Sequence, residues 1–217
     1  MFLLCFAFTD WAGAATGDSG WEQIGDEDGI QVFKKEISGS PILAFKGIGI
    51  VASPISKVAS VLIDDKRTKE WVDAVEETRI IRLISKYEAI VYSHVKTPII
   101  MRDRDFVTRV KLDLDRQAKT VTLSYSPAED PDAPKTKGVR GVMMDSSFKL
   151  VSVEGDTKTL VTAEIHADPK GMVPKWVVNL FQKVWPRKTL ENMRMQAAKV
   201  DIADNDDVKE VLFGMAK

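Results

Sequence analysis

The sequence Gly-Met-Val-Pro-Lys-Trp-Val-Val-Asn, at residues 171–179, opens an amphipathic pattern that runs toward the C-terminus. Pro174 suits the first turn of a helix, because the N–H group that proline lacks would have no partner there. Apolar side chains then recur at helical spacing on one face, and they include Val173, Trp176, Val177, Leu180 and Val184. The pattern predicts a long C-terminal helix that begins near Pro174, bends or breaks at Pro186, and covers something apolar.

The chain before this helix predicts short β-strands joined by turns, because its segments are rich in Val, Ile, Thr, Tyr and Phe. The predicted strands cover residues 31–37, 42–51, 78–84, 88–96, 105–114, 120–126, 139–153 and 159–167. Two shorter helical segments are predicted at residues 54–63 and 69–74. This order favours an α+β fold, in which a curved antiparallel sheet carries the long C-terminal helix across its concave face. Such an arrangement leaves room for an apolar cavity beneath the helix.

Composition suits one domain that encloses a core or a cavity, since 44% of the 217 residues are hydrophobic. The formal net charge is -1, from 31 basic and 32 acidic residues, so no strong field would hold a polyanion. We therefore expect no nucleic-acid partner. The predicted organisation is a signal peptide at residues 1–15, one domain at residues 21–200 and an acidic helical tail at residues 201–217.

The first residues form an apolar run at positions 2–8, followed by small residues at positions 12–15. This pattern is typical of a secretory signal peptide, although it lacks a charged n-region and would then be truncated. It predicts export to the periplasm or secretion, and the alternative is an apolar segment of a cytoplasmic domain. Cys5 is the single cysteine and would leave with the signal, so no disulfide or thiolate metal site is expected in the mature chain.

Several motifs, taken in order, resemble the START (StAR-related lipid transfer) family of the helix-grip, or SRPBCC, superfamily. Trp71 follows the first helical insert as in that family, Arg-Asp-Phe-Val stands at residues 104–107, and residues 171–179 match most closely. The resemblance covers about residues 21–200 and implies a fold that encloses one apolar ligand. Several sterol-carrying relatives place a buried arginine where this chain has Val110, and the adjacent Arg109 should face the other side of its strand. A sterol oriented by that charge is therefore not expected.

The resemblance implies binding, and transfer, of a single lipid-like ligand in an internal cavity. An Ω-loop at residues 97–101 and the C-terminal helix would act as the gate. No cofactor or metal is expected, and the expected partners are a hydrophobic small molecule or lipid and, transiently, a membrane, with the protein as a monomer. The predicted ligand-binding residues are Tyr92, Phe106, Tyr125, Met143, Val173, Trp176, Val177, Leu180 and Val184.

Two other function classes stay open. The superfamily includes polyketide cyclases and hydratases, so an enzyme of that kind is the first alternative. We favour a non-enzyme, because His94 and His166 lie on separate predicted strands without neighbouring acid–base or metal-ligand patterns, and the alternating charges at residues 102–105 are expected to pair with one another. The second alternative is a ligand-gated interaction module that docks through the acidic residues 201–207.

Overall fold

One antiparallel sheet organises the molecule. The computed structural model describes residues 20–97, 102–136 and 138–215. Its strands are β1 Glu22–Glu27, β2 Ile30–Lys35, β3 Ala44–Val51, β4 Val75–Ser85, β5 Glu88–Val95, β6 Arg104–Asp115, β7 Thr120–Pro127, β8 Val139–Arg140, β9 Val142–Met143, β10 Ser146–Val153, β11 Lys158–Ile165 and β12 Ala167–Asp168. Over these described ranges, the main sheet has the order β1-β2-β3-β11-β10-β7-β6-β5-β4, with β8 beside β6 and with β9 and β12 as a separate pair.

Three α-helices complete the described part of the chain: α1 at Ile55–Ile63, α2 at Lys175–Ala197 and α3 at Asp206–Phe213. A 3₁₀ turn at Asp65–Glu70 joins α1 to β4. α1 forms because its apolar residues recur on one side, and Ile55, Val58 and Ala59 are completely buried. The helical insert therefore closes one end of the sheet.

Helix α2 lies across the sheet and approaches it most closely at β3. A Cβ atom placed on Gly47 would lie 2.8 Å from the Cβ of Pro186, so only glycine allows this contact. Beyond that point Leu190, Met193 and Ala197 are fully buried against the main core. Close packing at β3 thus fixes the C-terminal half of α2.

The main hydrophobic core lies between the sheet, α1 and the C-terminal half of α2. It also takes in Ile202, Val208 and Leu212 from α3 and the segment before it. The Asn205 side chain caps α3 by accepting a hydrogen bond from the Val208 N–H. Residues after α2 therefore pack as part of the domain.

The two edges of the main sheet are β1 and β4. Pairing of β4 with β5 shifts register at three points, between Val75 and Glu77, between Ile80 and Arg82, and between Leu83 and Ser85. Such bulges strengthen the local twist of a strand. β4 is consequently an irregular edge strand that carries several charged side chains.

The predicted α+β fold with a C-terminal helix across an antiparallel sheet is confirmed. Differences lie in the details: β1 was not predicted, residues 139–153 form three strands instead of one, and the short insert turn lies at residues 65–70 instead of 69–74. α2 continues unbroken through Pro186, which is buried on the sheet. The predicted signal at residues 1–15 and most of the predicted Ω-loop, residues 98–101, lie outside the described residues.

Candidate ligand-binding cavity

A cavity of about 810 Å³ lies between α2 and the sheet. This volume falls in the range of pockets that enclose small-molecule ligands. Strands β4 to β7 form one wall, α2 forms the facing wall, and the residues around Trp71 form one end. Most of the wall side chains are apolar, and they include Ile80, Val91, Val95, Val110, Leu112 and Leu123.

Strand alternation decides which predicted residues reach the cavity. Phe106 and Tyr125 line it, as does Met143 from β9. Tyr92 lies on the opposite face of the sheet, where it is buried with Ile90 and Val107. Tyr92 faces away because its neighbour Ser93 pairs with Phe106 across the strands and shares its side of the sheet.

The face of α2 that covers the cavity differs from the predicted stripe. Val178, Phe181, Gln182 and Trp185 line the cavity, together with the predicted residues Val173 and Val184. The predicted Trp176 and Leu180 are 70% and 55% exposed, and Val177 does not line the cavity. The buried contacts of Pro186 and Leu190 set the rotation of the helix, because residues four apart share a face. That rotation turns Gln182 and Val178 inward and Leu180 outward.

Four aromatic side chains form a cluster at one end of the cavity. Phe148 is the centre, with ring centroids 6.3 Å from Trp71, 6.2 Å from Tyr125 and 5.9 Å from Trp185. The rings meet edge-on or tilted, as the quadrupoles of aromatic rings favour. We call Trp71, Tyr125, Phe148 and Trp185 the aromatic cluster. It brings α2, the helical insert and strands β7 and β10 together at one place.

Polar atoms at the wall lack partners within the described part of the chain. The Trp71 Nε1, Thr78 Oγ1 and Gln182 Oε1 atoms are buried without a hydrogen bond. Each buried atom of this kind costs about 1–3 kcal/mol until a partner is supplied. The Gln182 amide is partly used, since its Nε2 donates to the Ala167 carbonyl at 2.6 Å.

The Tyr125 hydroxyl is a further polar group at the cavity. Burial raises the pKa of Tyr125. The phenol therefore stays protonated and keeps its donor hydrogen at neutral pH.

Positive charges at the cavity are already paired. Three lysines at its rim have side chains 59–61% exposed, and they pair as Lys86 with Asp207, Lys96 with Glu76 and Lys188 with Asp73. Arg104 is buried, and its guanidinium donates to the backbone carbonyls of Arg102, Pro169 and Lys170.

The charges at residues 102–105 do not pair with one another as predicted. Buried Asp105 accepts hydrogen bonds from Arg140 on the outer face of the sheet. The Asp103 carboxylate accepts from the Thr97 N–H at 3.1 Å, and the Thr97 hydroxyl donates to the Arg102 carbonyl at 2.9 Å. Thr97 is thus tied to Arg102 and Asp103, and Arg104 in turn contacts residues 169 and 170 in the segment before α2.

The two histidines lie apart. His94 Nε2 is 3.3 Å from an Asp103 carboxylate oxygen, whereas His166 is buried and contacts the Ser40 hydroxyl at 3.2 Å. Burial lowers the pKa of His166. Among the described residues there is no group of three or more His, Cys, Asp or Glu side chains placed to hold a metal ion.

The acidic tail is engaged with the domain. Asp201 lies 2.9 Å from Arg67, while Asp204 accepts hydrogen bonds from Ser56 and Lys209, both at 2.7 Å. No helix in the described ranges combines the length and the apolar character needed to cross a membrane.

The chain is similar in sequence to known proteins over most of its length. The chain is 28% identical to the phosphatidylcholine transfer protein of Bos taurus over 173 residues, 78% of this chain and 80% of that protein. It is 26% identical to an uncharacterized Pseudomonas aeruginosa protein over 200 residues, 92% of this chain and 96% of the other.

Solved structures show the same fold. Human STARD10 has a TM-score of 0.78 at 22% identity, over 85% of this chain and 76% of that one. A STAR-related lipid transfer protein fragment from Xanthomonas axonopodis has a TM-score of 0.73 at 24% identity, over 83% of this chain and 99% of that one. The START domain profile matches residues 11–192, most of the sequence. The chain therefore belongs to the START domain family.

Proposed function

We propose that this protein binds one hydrophobic, lipid-like molecule in its cavity and carries it between membranes without chemical change. The observation that carries the proposal is the cavity of about 810 Å³, walled largely by apolar side chains. A ligand that leaves water for such a wall gains roughly 25 cal/mol per Å² of apolar surface buried. Membership of the START family and the likeness to a phosphatidylcholine transfer protein support a lipid as that ligand.

The N-terminal half of α2 supports a transient contact with membranes. Met172, Trp176, Leu180, Phe181 and Val184 are each 46% exposed or more, although all are large and apolar. A contiguous apolar surface of this kind marks an interaction site, and tryptophan suits the boundary between lipid and water. We assign this surface, the α2 patch, to membrane contact, with α2 and the loop at residues 97–101 as the gate.

No acid–base constellation at the cavity supports the cyclase or hydratase alternative. His94 and His166 do not line the cavity, so neither touches a ligand held there. Among the described residues, the titratable side chains that do line it are Asp65, Asp73, Lys86, Tyr87, Glu88, Lys96, Arg104, Tyr125, Glu164 and Lys188. The raised pKa of Tyr125 keeps its phenol protonated, so it is not available as a base at neutral pH. A carrier role therefore fits the cavity better than catalysis.

Export of the mature protein is the second part of this proposal, and it rests on the apolar run and small residues at positions 2–15. N-terminal sequencing of protein from its own host would find that the residues up to about Ala14 or Ala15 have been removed. Retention of Met1 together with a cytoplasmic location would contradict export.

Native mass spectrometry of the protein purified from its own host tests ligand binding, and extraction identifies the bound molecule. Val91→Trp fills the cavity from β5 and should abolish the bound mass. Lys149→Trp, at an exposed position of β10, is the matched control and should keep it. A protein without bound ligand that also takes up no lipid after delipidation would contradict the carrier function.

A vesicle transfer assay tests the α2 patch. Trp176→Ser combined with Leu180→Ser should slow lipid transfer strongly while binding in detergent persists. Met195→Ser is the matched control, since Met195 is 63% exposed on the same helix away from the patch. Equal rates of lipid transfer by both variants would show that the α2 patch takes no part in transfer.

A further inference from the structure

Several polar groups lie near the aromatic cluster. Trp71, Tyr125 and Trp185 all contact Phe148, and Gln182 lies one helical turn before Trp185 on the same face of α2. Trp71 and Gln182 are 5% and 8% exposed. The side chains in and beside the aromatic cluster therefore include both hydrogen-bond donors and an acceptor.

Two of these groups, the Trp71 Nε1–H and the Gln182 Oε1, have no hydrogen-bond partner among the described residues. The Trp71 Nε1–H and the Tyr125 O–H can donate, and the Gln182 Oε1 can accept. Buried polar atoms are nearly always satisfied in folded proteins. A ligand oxygen at this end would supply the missing partners after small rotations of the side chains.

Among the described residues that line the cavity, no positive charge is free for an ionised head group. Arg104 is occupied by three backbone carbonyls, and the lysines at the rim are paired with surface carboxylates. A phosphate moved to the aromatic cluster would lose its hydration without gaining a counterion. Neutral oxygens carry a much smaller desolvation penalty.

We propose that the cavity selects neutral lipids with hydroxyl or ester oxygens, of the glyceride type, and binds those oxygens at the aromatic cluster. Tyr125 and Trp71 donate to a ligand oxygen, and Gln182 accepts the ligand hydroxyl. The acyl chains extend along the apolar wall of β4 to β6. This inference rests on the proposed carrier function and specifies its ligand.

Titration of delipidated protein with three lipids of equal acyl chains tests the selection. Dioctanoylglycerol should bind at least about tenfold more tightly than dioctanoyl phosphatidylcholine or dioctanoyl phosphatidic acid. Intrinsic tryptophan fluorescence, to which Trp71 and Trp185 at the cavity wall contribute, provides the signal, and native mass spectrometry verifies one ligand per chain.

Two variants test the hydrogen bonds themselves. Tyr125→Phe should weaken dioctanoylglycerol about threefold to tenfold, the loss expected for one hydrogen bond, and should leave binding of hexadecane unchanged. Gln182→Met should act in the same direction. Tyr92→Phe is the matched control, because the Tyr92 hydroxyl lies 3.4 Å from Asp105 on the opposite face of the sheet.

The outcomes separate the two proposals. Phosphatidylcholine or phosphatidic acid binding as tightly as dioctanoylglycerol would overturn the selection of neutral lipids and leave the carrier function standing. If Tyr125→Phe reduced the affinities for hexadecane and dioctanoylglycerol equally, Tyr125 would contribute by packing alone. That result would overturn its role as a hydrogen-bond donor. Failure of every lipid and of hexadecane to bind would overturn both proposals.

Discussion

The two halves of α2 differ in what lies beneath them. In the C-terminal half, Leu190, Met193 and Ala197 have no exposed surface. In the N-terminal half, Trp176 and Leu180 are 70% and 55% exposed, and the inner face of the helix borders the cavity. One continuous helix is thus packed on the core at one end and covers the cavity at the other.

The difference originates in the sheet. Gly47 on β3 lets the helix backbone approach closely at Pro186, and dense packing follows from there toward Ala197. Under the N-terminal half the wall strands stand farther off and leave the cavity. Because packed contacts determine local opening free energy, we expect the N-terminal half to open first.

Leu190→Ala should cause the largest change in stability. Removing a fully buried leucine leaves a void, so the free energy of unfolding should fall by about 2–5 kcal/mol. Urea denaturation of delipidated protein measures the loss. If Leu180→Ala destabilised the protein as much, the contrast between the two halves would be wrong.

Gly47→Ala should have the next largest effect. The added methyl would lie 2.8 Å from the Pro186 Cβ, and such overpacking costs about 1–3 kcal/mol. Gly25→Ala is the control, since its nearest contact would be an ordinary 3.8 Å to Val32. A thermal melt of both variants distinguishes crowding at the helix from a general cost in strands.

Leu180→Ala should change the free energy of unfolding by no more than about 0.5 kcal/mol, as exposed positions usually do. Its affinity for vesicles should nevertheless fall, because a large apolar side chain leaves the α2 patch. Co-sedimentation with vesicles and urea denaturation, run side by side, measure both. A large loss of stability would show that the N-terminal half is packed like the C-terminal half.

The smallest effect concerns pH and the segment beneath the N-terminal half of α2. Burial lowers the pKa of His166 below its unfolded value of about 6.5. The folded state therefore binds fewer protons than the unfolded state. The stability that His166 contributes is fully present above the unfolded pKa, and it is lost as the pH falls from that value toward the folded pKa. Between about pH 7 and pH 5, the free energy of unfolding should fall more for wild type than for His166→Gln. Urea denaturation at a series of pH values measures this difference. Parallel pH profiles would exclude His166 as the cause.

The start of α2 could be predicted because its signals are local: a proline that suits the first turn and apolar residues at helical spacing. The rotation of α2 could not, because it depends on Pro186 and Leu190 meeting β3 far away in sequence. The face of α2 that borders the cavity includes the polar residue Gln182, so the pattern of apolar residues alone does not identify this face.

The strand faces show the same limit. Phe106 and Tyr125 were predicted at the wall and lie there, whereas Tyr92 faces outward. Only the pairing of Ser93 with Phe106 decides this, and register is not encoded in one strand. Likewise, Asp105 is paired with Arg140 of β8 and Arg104 donates to the segment before α2, which sequence spacing does not reveal.

The irregular edge strand β4 bears on assembly. An exposed strand edge can recruit a second copy of a chain, and bulges and charged side chains prevent this. Strand β4 has both, with three register shifts and with Glu76, Glu77, Arg79 and Arg82 along its length. We therefore expect a monomer, whose lipid capacity is one molecule per chain at any protein concentration.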